Sequence, residues 1–149
     1  MKTNLHLTFK DGKCAEAFSL YERVFNGKSG FKMTYGQAPA GHPVPEGAKD
    51  LVMHMSMPLG DLLLMGCDAP PAAPGGEFGC FEIAVAVDDA GEAKRIHAAL
   101  SEGGKVVVPP SPTFWSPMFG MCTDKFGVGW MVSVPGPEMP GPEAAGEEA

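Results

Sequence analysis

The side chains best suited to chemistry in this chain are few and widely separated. His6 lies in Leu5-His6-Leu7-Thr8-Phe9, a run in which apolar and polar residues alternate. A strand with that pattern sends His6 and Thr8 to the face opposite Leu5, Leu7 and Phe9. Glu82 lies in a second such run, Phe81 to Val87, with Ala84 and Ala86 on the side opposite Phe81, Ile83, Val85 and Val87. An imidazole beside a carboxylate gains proton affinity and can serve as an acid/base or ligand-orienting pair. The same two groups can equally do no more than satisfy each other as buried polar atoms. His54, set among Met53, Met55 and Met57, reads as a pocket-lining or a core histidine. His42 falls in a Pro/Gly loop and is expected in solvent, and His97, beside Ile96 on a helix, at a surface or interface. Cys14, Cys67, Cys80 and Cys122 form no C-x-x-C pair and read as reduced thiols. Cys67 and Cys122 have no neighbouring cation or helix start to activate them as nucleophiles. No G-x-S-x-G, P-loop or H-E-x-x-H pattern is present.

These residues need elements to hold them. Leu5–Phe9 is predicted as a strand, and Ala17, Phe18, Tyr21, Val24 and Phe25 recur at helical spacing over 14–25, with Gly27 as the stop. Strands follow over 32–35, 51–57 and 61–65, the last two joined at Pro58-Leu59-Gly60. The second half repeats the order. A strand over 81–87 leads to a helix capped by Asp88 or Asp89, running to about Leu100 and closed by Gly103-Gly104. Strands over 105–108, 119–123 and 128–134 complete it. An offset of 76 places His6 on Glu82 and Gly27 on Gly103, while an offset of 67 places Gly60 on Gly127 and Leu64 on Met131. The reading is a β-α-β-β-β module, duplicated. Its pseudo-twofold relation is expected to bring His6 and Glu82 near each other.

Composition bounds the rest. The chain has 149 residues, 44% hydrophobic and 19% charged, which is globular and about one domain in size. Its net charge of -7 offers no basic stripe for nucleic acid. Part of that charge (Glu138, Glu143, Glu147 and Glu148) sits in a Pro/Gly-rich tail over 135–149, expected to be disordered. No apolar run approaches the ~20 residues a membrane span needs, and the N-terminus lacks the apolar core of a signal peptide. A cytoplasmic protein with no membrane partner is expected. Pro/Gly loops cover 36–47, 68–79 and 109–117, giving modules over 1–67 and 80–134 with a linker over 68–79.

The stretches LHLTFKDGKCAEAFSLYERVFNG, MTYGQAP, DLVMHMSM, LLLMGCD and ALSEGGKVVVPPSPTFWSPMFGMCTDKFGVGWMVSV span most of residues 4–134. In that order the chain resembles the vicinal oxygen chelate superfamily of glyoxalases, bleomycin-resistance proteins and dioxygenases, within it the PhnB-like branch that also carries a 3-demethylubiquinone-9 3-methyltransferase-like label. Thr113-Phe114-Trp115 and Asp124-Lys125-Phe126-Gly127-Val128 are the most specific segments. The resemblance implies an α+β fold in which two β-α-β-β-β modules form a half-open barrel around a cavity, and a homodimer. It does not bring a methyl-donor site, because no Gly-rich strand-to-helix turn is present and Gly27, Gly103 and Gly104 end helices.

The resemblance also implies metal positions at His6, Leu64, Glu82 and Met131. His6 and Glu82 are suitable ligands, Leu64 has no donor atom, and the Met131 thioether suits soft Cu(I). With that set incomplete, no cofactor is expected, and the first reading is a protein that binds a small molecule in the inter-module cavity. His54, Met65, Trp115, Phe119 and Met131 would line it, with His6 and Glu82 as the catalytic or metal candidates. Met53, Met55 and Met57 read first as core packing, and Trp130 as a residue beneath a helix. The alternative function is a metal-dependent lyase, isomerase or dioxygenase.

Overall fold

The structure, a computed structural model, describes residues 1–73 and 76–137. The expected tail beyond Pro137 lies outside the described residues. The chain divides into two compact units, Met1–Glu77 and Phe78–Ala149. In the first, β1 (Leu5–Phe9), α1 (Cys14–Phe25), β2 (Phe31–Thr34), β3 (Val52–Leu59) and β4 (Leu62–Asp68) make a sheet of order β1-β4-β3-β2. In the second, β5 (Ile83–Ala86), α2 (Ala90–Ser101), β6 (Lys105–Ser111), β7 (Phe119–Thr123) and β8 (Gly129–Ser133) make a sheet of order β5-β8-β7-β6. In both units the first strand pairs parallel to the last and every other pairing is antiparallel. The α+β class and the β-α-β-β-β order are those read from the residues. Asp68, assigned above to the linker, is the last residue of β4.

Each helix covers one face of its own sheet. Cys14, Ala17, Phe18, Leu20, Tyr21 and Val24 are the buried residues of α1, and they meet Leu7, Phe9, Met55, Met57 and Leu64 in one core. Close approach depends on Gly66 of β4. A Cβ there would lie 2.7 Å from the Phe18 ring and 3.0 Å from Cys14 Sγ. The helix ends on Asn26, which takes the left-handed conformation at φ 51°, so the stop falls one residue before the expected Gly27. Gly27 contributes its N–H to the Glu22 carbonyl at 3.0 Å.

The second unit repeats this plan with different residues. Asp89 caps α2 by accepting the Glu92 N–H at 2.7 Å. Ala93, Ile96, His97 and Leu100 are its buried stripe. His97 is therefore not a surface or interface residue. Its Nε2 lies 3.1 Å from the Met121 carbonyl, and Gly120 leaves room for the ring. Trp130 is fully buried beneath α2, as its alternation predicted. Strand β6 runs beyond the expected Val108, through Pro109 and Pro110 to Ser111. Its pairing with β7 breaks register between Val106 and Val108 and again between Val108 and Ser111. It is an edge strand, where prolines cost no ladder bond.

Candidate functional sites on the open sheet faces

In the first unit, the face away from α1 carries the donors. His6 is the register partner of Met65, and Met65 is in turn the partner of Ser56. Since β4 lies between β1 and β3, Met65 stands between the strand of His6 and the strand of His54. Alternation puts His54, two residues before Ser56, on the same face. The two imidazoles come together, with ring centres 6.2 Å apart and planes 24° from parallel. Phe31 continues the row, its ring centre 5.9 Å from that of His54. Partial burial, and then the neighbouring His54, hold the His6 pKa below its ordinary value. Farther along, Thr8 Oγ1 and Cys67 Sγ lie 3.6 Å apart. His54 is half-buried on the open face and is not a core histidine, while Met55 and Met57 turn into the core.

On the second sheet the open face is apolar and aromatic. Met131 pairs with Ala84 on one side and Met121 on the other. Phe119, Trp115 and Phe114 form a ladder of edge-to-face rings with centres 5.5 and 4.7 Å apart. The loop that presents Trp115 is anchored by the next residue. Ser116 is buried, its N–H donates to Thr113 Oγ1 at 3.1 Å, and its Oγ lies 2.6 Å from the carbonyls of both Met118 and Val134. Rigid support of this kind keeps Trp115 and Phe114 outside the core, at 40% and 82% exposure. Glu82 is exposed just before β5, with Gly129 leaving room beside its methylenes.

One expectation needs correction. Leu64 cannot stand at a metal position on the open face, because it is fully buried on the α1 side of β4. Parallel pairing shows why the offset misled. Leu7 pairs with Gly66 and Ile83 with Trp130, so Gly66 corresponds to Trp130, and Met131 to Cys67. An offset of 67 exchanges the two faces of the strand. Among the described residues no three His, Cys, Asp or Glu side chains come together around a possible ion. Phe31 was missed, although its alternation with Met33 was a signal.

The buried carboxylates serve the fold. Asp68 accepts the N–H groups of Cys14 and Val52 at 2.8 and 2.9 Å, tying the start of α1 to β3. Asp124 binds the turn before β8 and the Trp130 indole.

Comparison with known proteins agrees with this architecture. A sequence model of the Glyoxalase/Bleomycin resistance protein/Dioxygenase superfamily matches residues 5–132. The chain belongs to that superfamily. A curated member of similar sequence is Protein YjdN of Escherichia coli (strain K12), 28% identical over 145 residues, covering 90% of this chain and 95% of YjdN. The crystal structure of PA1353 from Pseudomonas aeruginosa is similar at 38% identity and a TM-score of 0.82, covering 91% of this chain and 98% of that one. A putative 3-demethylubiquinone-9 3-methyltransferase, PhnB protein, from Bacillus cereus shares the superfamily fold, with 21% identity, a TM-score of 0.73, and coverage of 90% and 99%. Among the described residues no helix is long and apolar enough to cross a membrane.

Proposed function

We propose that this superfamily member is a PhnB-like protein that binds a small, largely apolar organic molecule on its open sheet faces, in the inter-module cavity that the resemblance implies. One observation carries the reading. The open faces hold long apolar and aromatic side chains that their own units leave partly exposed, among them Phe31, Met65, Trp115, Phe119 and Met131. Methionine and aromatic walls adapt to an apolar ligand while a few polar groups orient it. His6, His54 and Glu82 are the polar groups proposed for that task. A homodimer and a cytoplasmic location complete the proposal.

The test is a melting-temperature screen of the purified protein against uncharged aromatic and aliphatic compounds, followed by a crystal structure with the best one. A raised melting temperature, lost in Trp115→Ala and Met131→Ala, supports the reading. Stoichiometric, tightly held Fe, Mn, Ni or Zn in the purified protein overturns it in favour of the metalloenzyme alternative. A screen in which no compound shifts the melting temperature overturns it in favour of a protein that works only through its surface.

A further inference from the structure

The chain holds two asparagines, Asn4 before Leu5 and Asn26 before Gly27. An asparagine followed by glycine is the pair most open to attack on its own side chain, because glycine places no Cβ beside the incoming nitrogen. Asn26 is exposed to water at the end of α1, in the left-handed conformation at φ 51° and ψ 38°. Since Asn26 itself makes the helix stop, the backbone does not require a glycine after it. Gly27 lies outside the left-handed region. A Cβ there would meet Met57 Sδ at 3.6 Å and the Pro58 carbonyl at 3.8 Å, which are ordinary contacts.

The native cap holds that chemistry back. With ψ at 38°, the Asn26 Cβ stands nearly trans to the Gly27 nitrogen across the Cα–C bond, so the side-chain carbonyl carbon is out of its reach. The Gly27 N–H also donates to the Glu22 carbonyl at 3.0 Å. Glu22 adds a second latch with its carboxylate, which accepts the Ser29 N–H at 2.7 Å. One residue of α1 therefore ties down the chain at both 27 and 29. We propose that Asn26 is a deamidation site guarded by Glu22, reactive only when the end of α1 opens. In the open chain the Gly27 nitrogen attacks Asn26 Cγ. A nitrogen–Cγ bond forms, the Cγ–Nδ2 bond breaks, and ammonia leaves with the Gly27 amide proton. Water then opens the cyclic imide at either carbonyl, giving aspartate or isoaspartate. Isoaspartate has an extra methylene in the main chain and cannot rebuild the left-handed cap. Aspartate adds a negative charge at the helix end where the dipole disfavours it. The change runs one way, and it uses none of the side chains assigned to the organic ligand.

The experiment incubates the full chain in mildly alkaline buffer, folded or in urea, and follows deamidation by peptide mass mapping. Asn26 should convert while Asn4 stays intact. The folded chain should convert at least ~10-fold more slowly than the unfolded one, as expected of a segment open no more than about a tenth of the time. E22A removes the carboxylate latch and should raise the rate in the folded protein several-fold, with the rate in urea unchanged. E22Q keeps an acceptor oxygen and should fall between E22A and wild type. G27A should slow the reaction in urea. Buried Cys14 reports whether E22A opens only the cap or the whole helix, since local opening leaves its thiol unlabelled. If Cys14 becomes reactive in E22A, the comparison of E22Q with wild type decides. Equal rates in the folded and unfolded chain, a rate in the Glu22 variants no faster than wild type, or an Asn26 that survives in urea overturns the proposal.

Discussion

The indole of Trp130 donates to Asp124 Oδ2 at 3.0 Å, with both residues buried. The other carboxylate oxygen, Oδ1, accepts the N–H groups of Phe126 and Val128 at 2.9 and 3.0 Å. One side chain thus closes the turn before β8 and fixes the largest core residue of the unit. The first residue of the Asp-Lys-Phe-Gly-Val segment carries all three bonds. Asp124→Ala would leave three donors without that acceptor, at about 1–3 kcal/mol for each one buried and unsatisfied. The expected outcome is a loss of at least ~3 kcal/mol in urea unfolding, with Asp124→Asn losing less. A loss below ~1 kcal/mol would show that water or a neighbour takes over those bonds.

Phe18 and Gly66 are coupled across the first core. Phe18→Ala should cost ~3–5 kcal/mol, as large aromatic truncations do. Gly66→Ala should cost ~1–3 kcal/mol by driving a methyl group into the Phe18 ring. In the double variant the second cost should shrink, since the ring that collides is gone. Additive losses in a double-mutant cycle would separate the two residues.

Thiol labelling should divide the four cysteines. Burial, and then Asp68, push the Cys14 thiol far above its ordinary range, and burial raises that of Cys122. At pH 8 both should stay unlabelled in the native protein, while exposed Cys80 reacts promptly. Mass spectrometry after brief alkylation checks this. Prompt labelling of Cys14 would mean that α1 opens readily from its sheet.

Glu22 should give the first unit a small acid sensitivity. Hydrogen bonding from Ser29, including its N–H at 2.7 Å, lowers the Glu22 pKa. A carboxylate whose folded pKa is depressed adds stability that is present above its unfolded pKa and lost as pH falls through the folded one. Glu22→Gln should therefore flatten the stability profile below about pH 4.5. An unchanged slope there would show that Ser29 does not distinguish the charged form.

The helices were the most legible part of the chain, and the last strands of the units the least. Ala17, Phe18, Tyr21 and Val24 recur with the period of a helix, and the observed span is the expected 14–25. Leu62-Leu63-Leu64-Met65 is apolar on both faces, so alternation could not say that Leu64 turns inward and Met65 outward. His97 had a readable signal, since it falls within the Ala93, Ile96, Leu100 stripe, but a polar residue type masked it. Of the candidate site, the direction of His6 followed from its strand. Its approach to His54 depends on strand order, with β4 inserted between β1 and β3, and no local pattern carries strand order.

Strand β6 presents Val106 and Val107 to solvent at about half exposure, on the outer edge of its sheet. A straight valine-rich edge is a template for adding strands from other molecules, the first step toward fibrous aggregates. Here the two prolines supply no N–H, and the irregular register bends the ladder that a newcomer would have to match. The outermost strand is consequently a poor seed, and its valines can remain apolar without inviting sheet-to-sheet polymerisation.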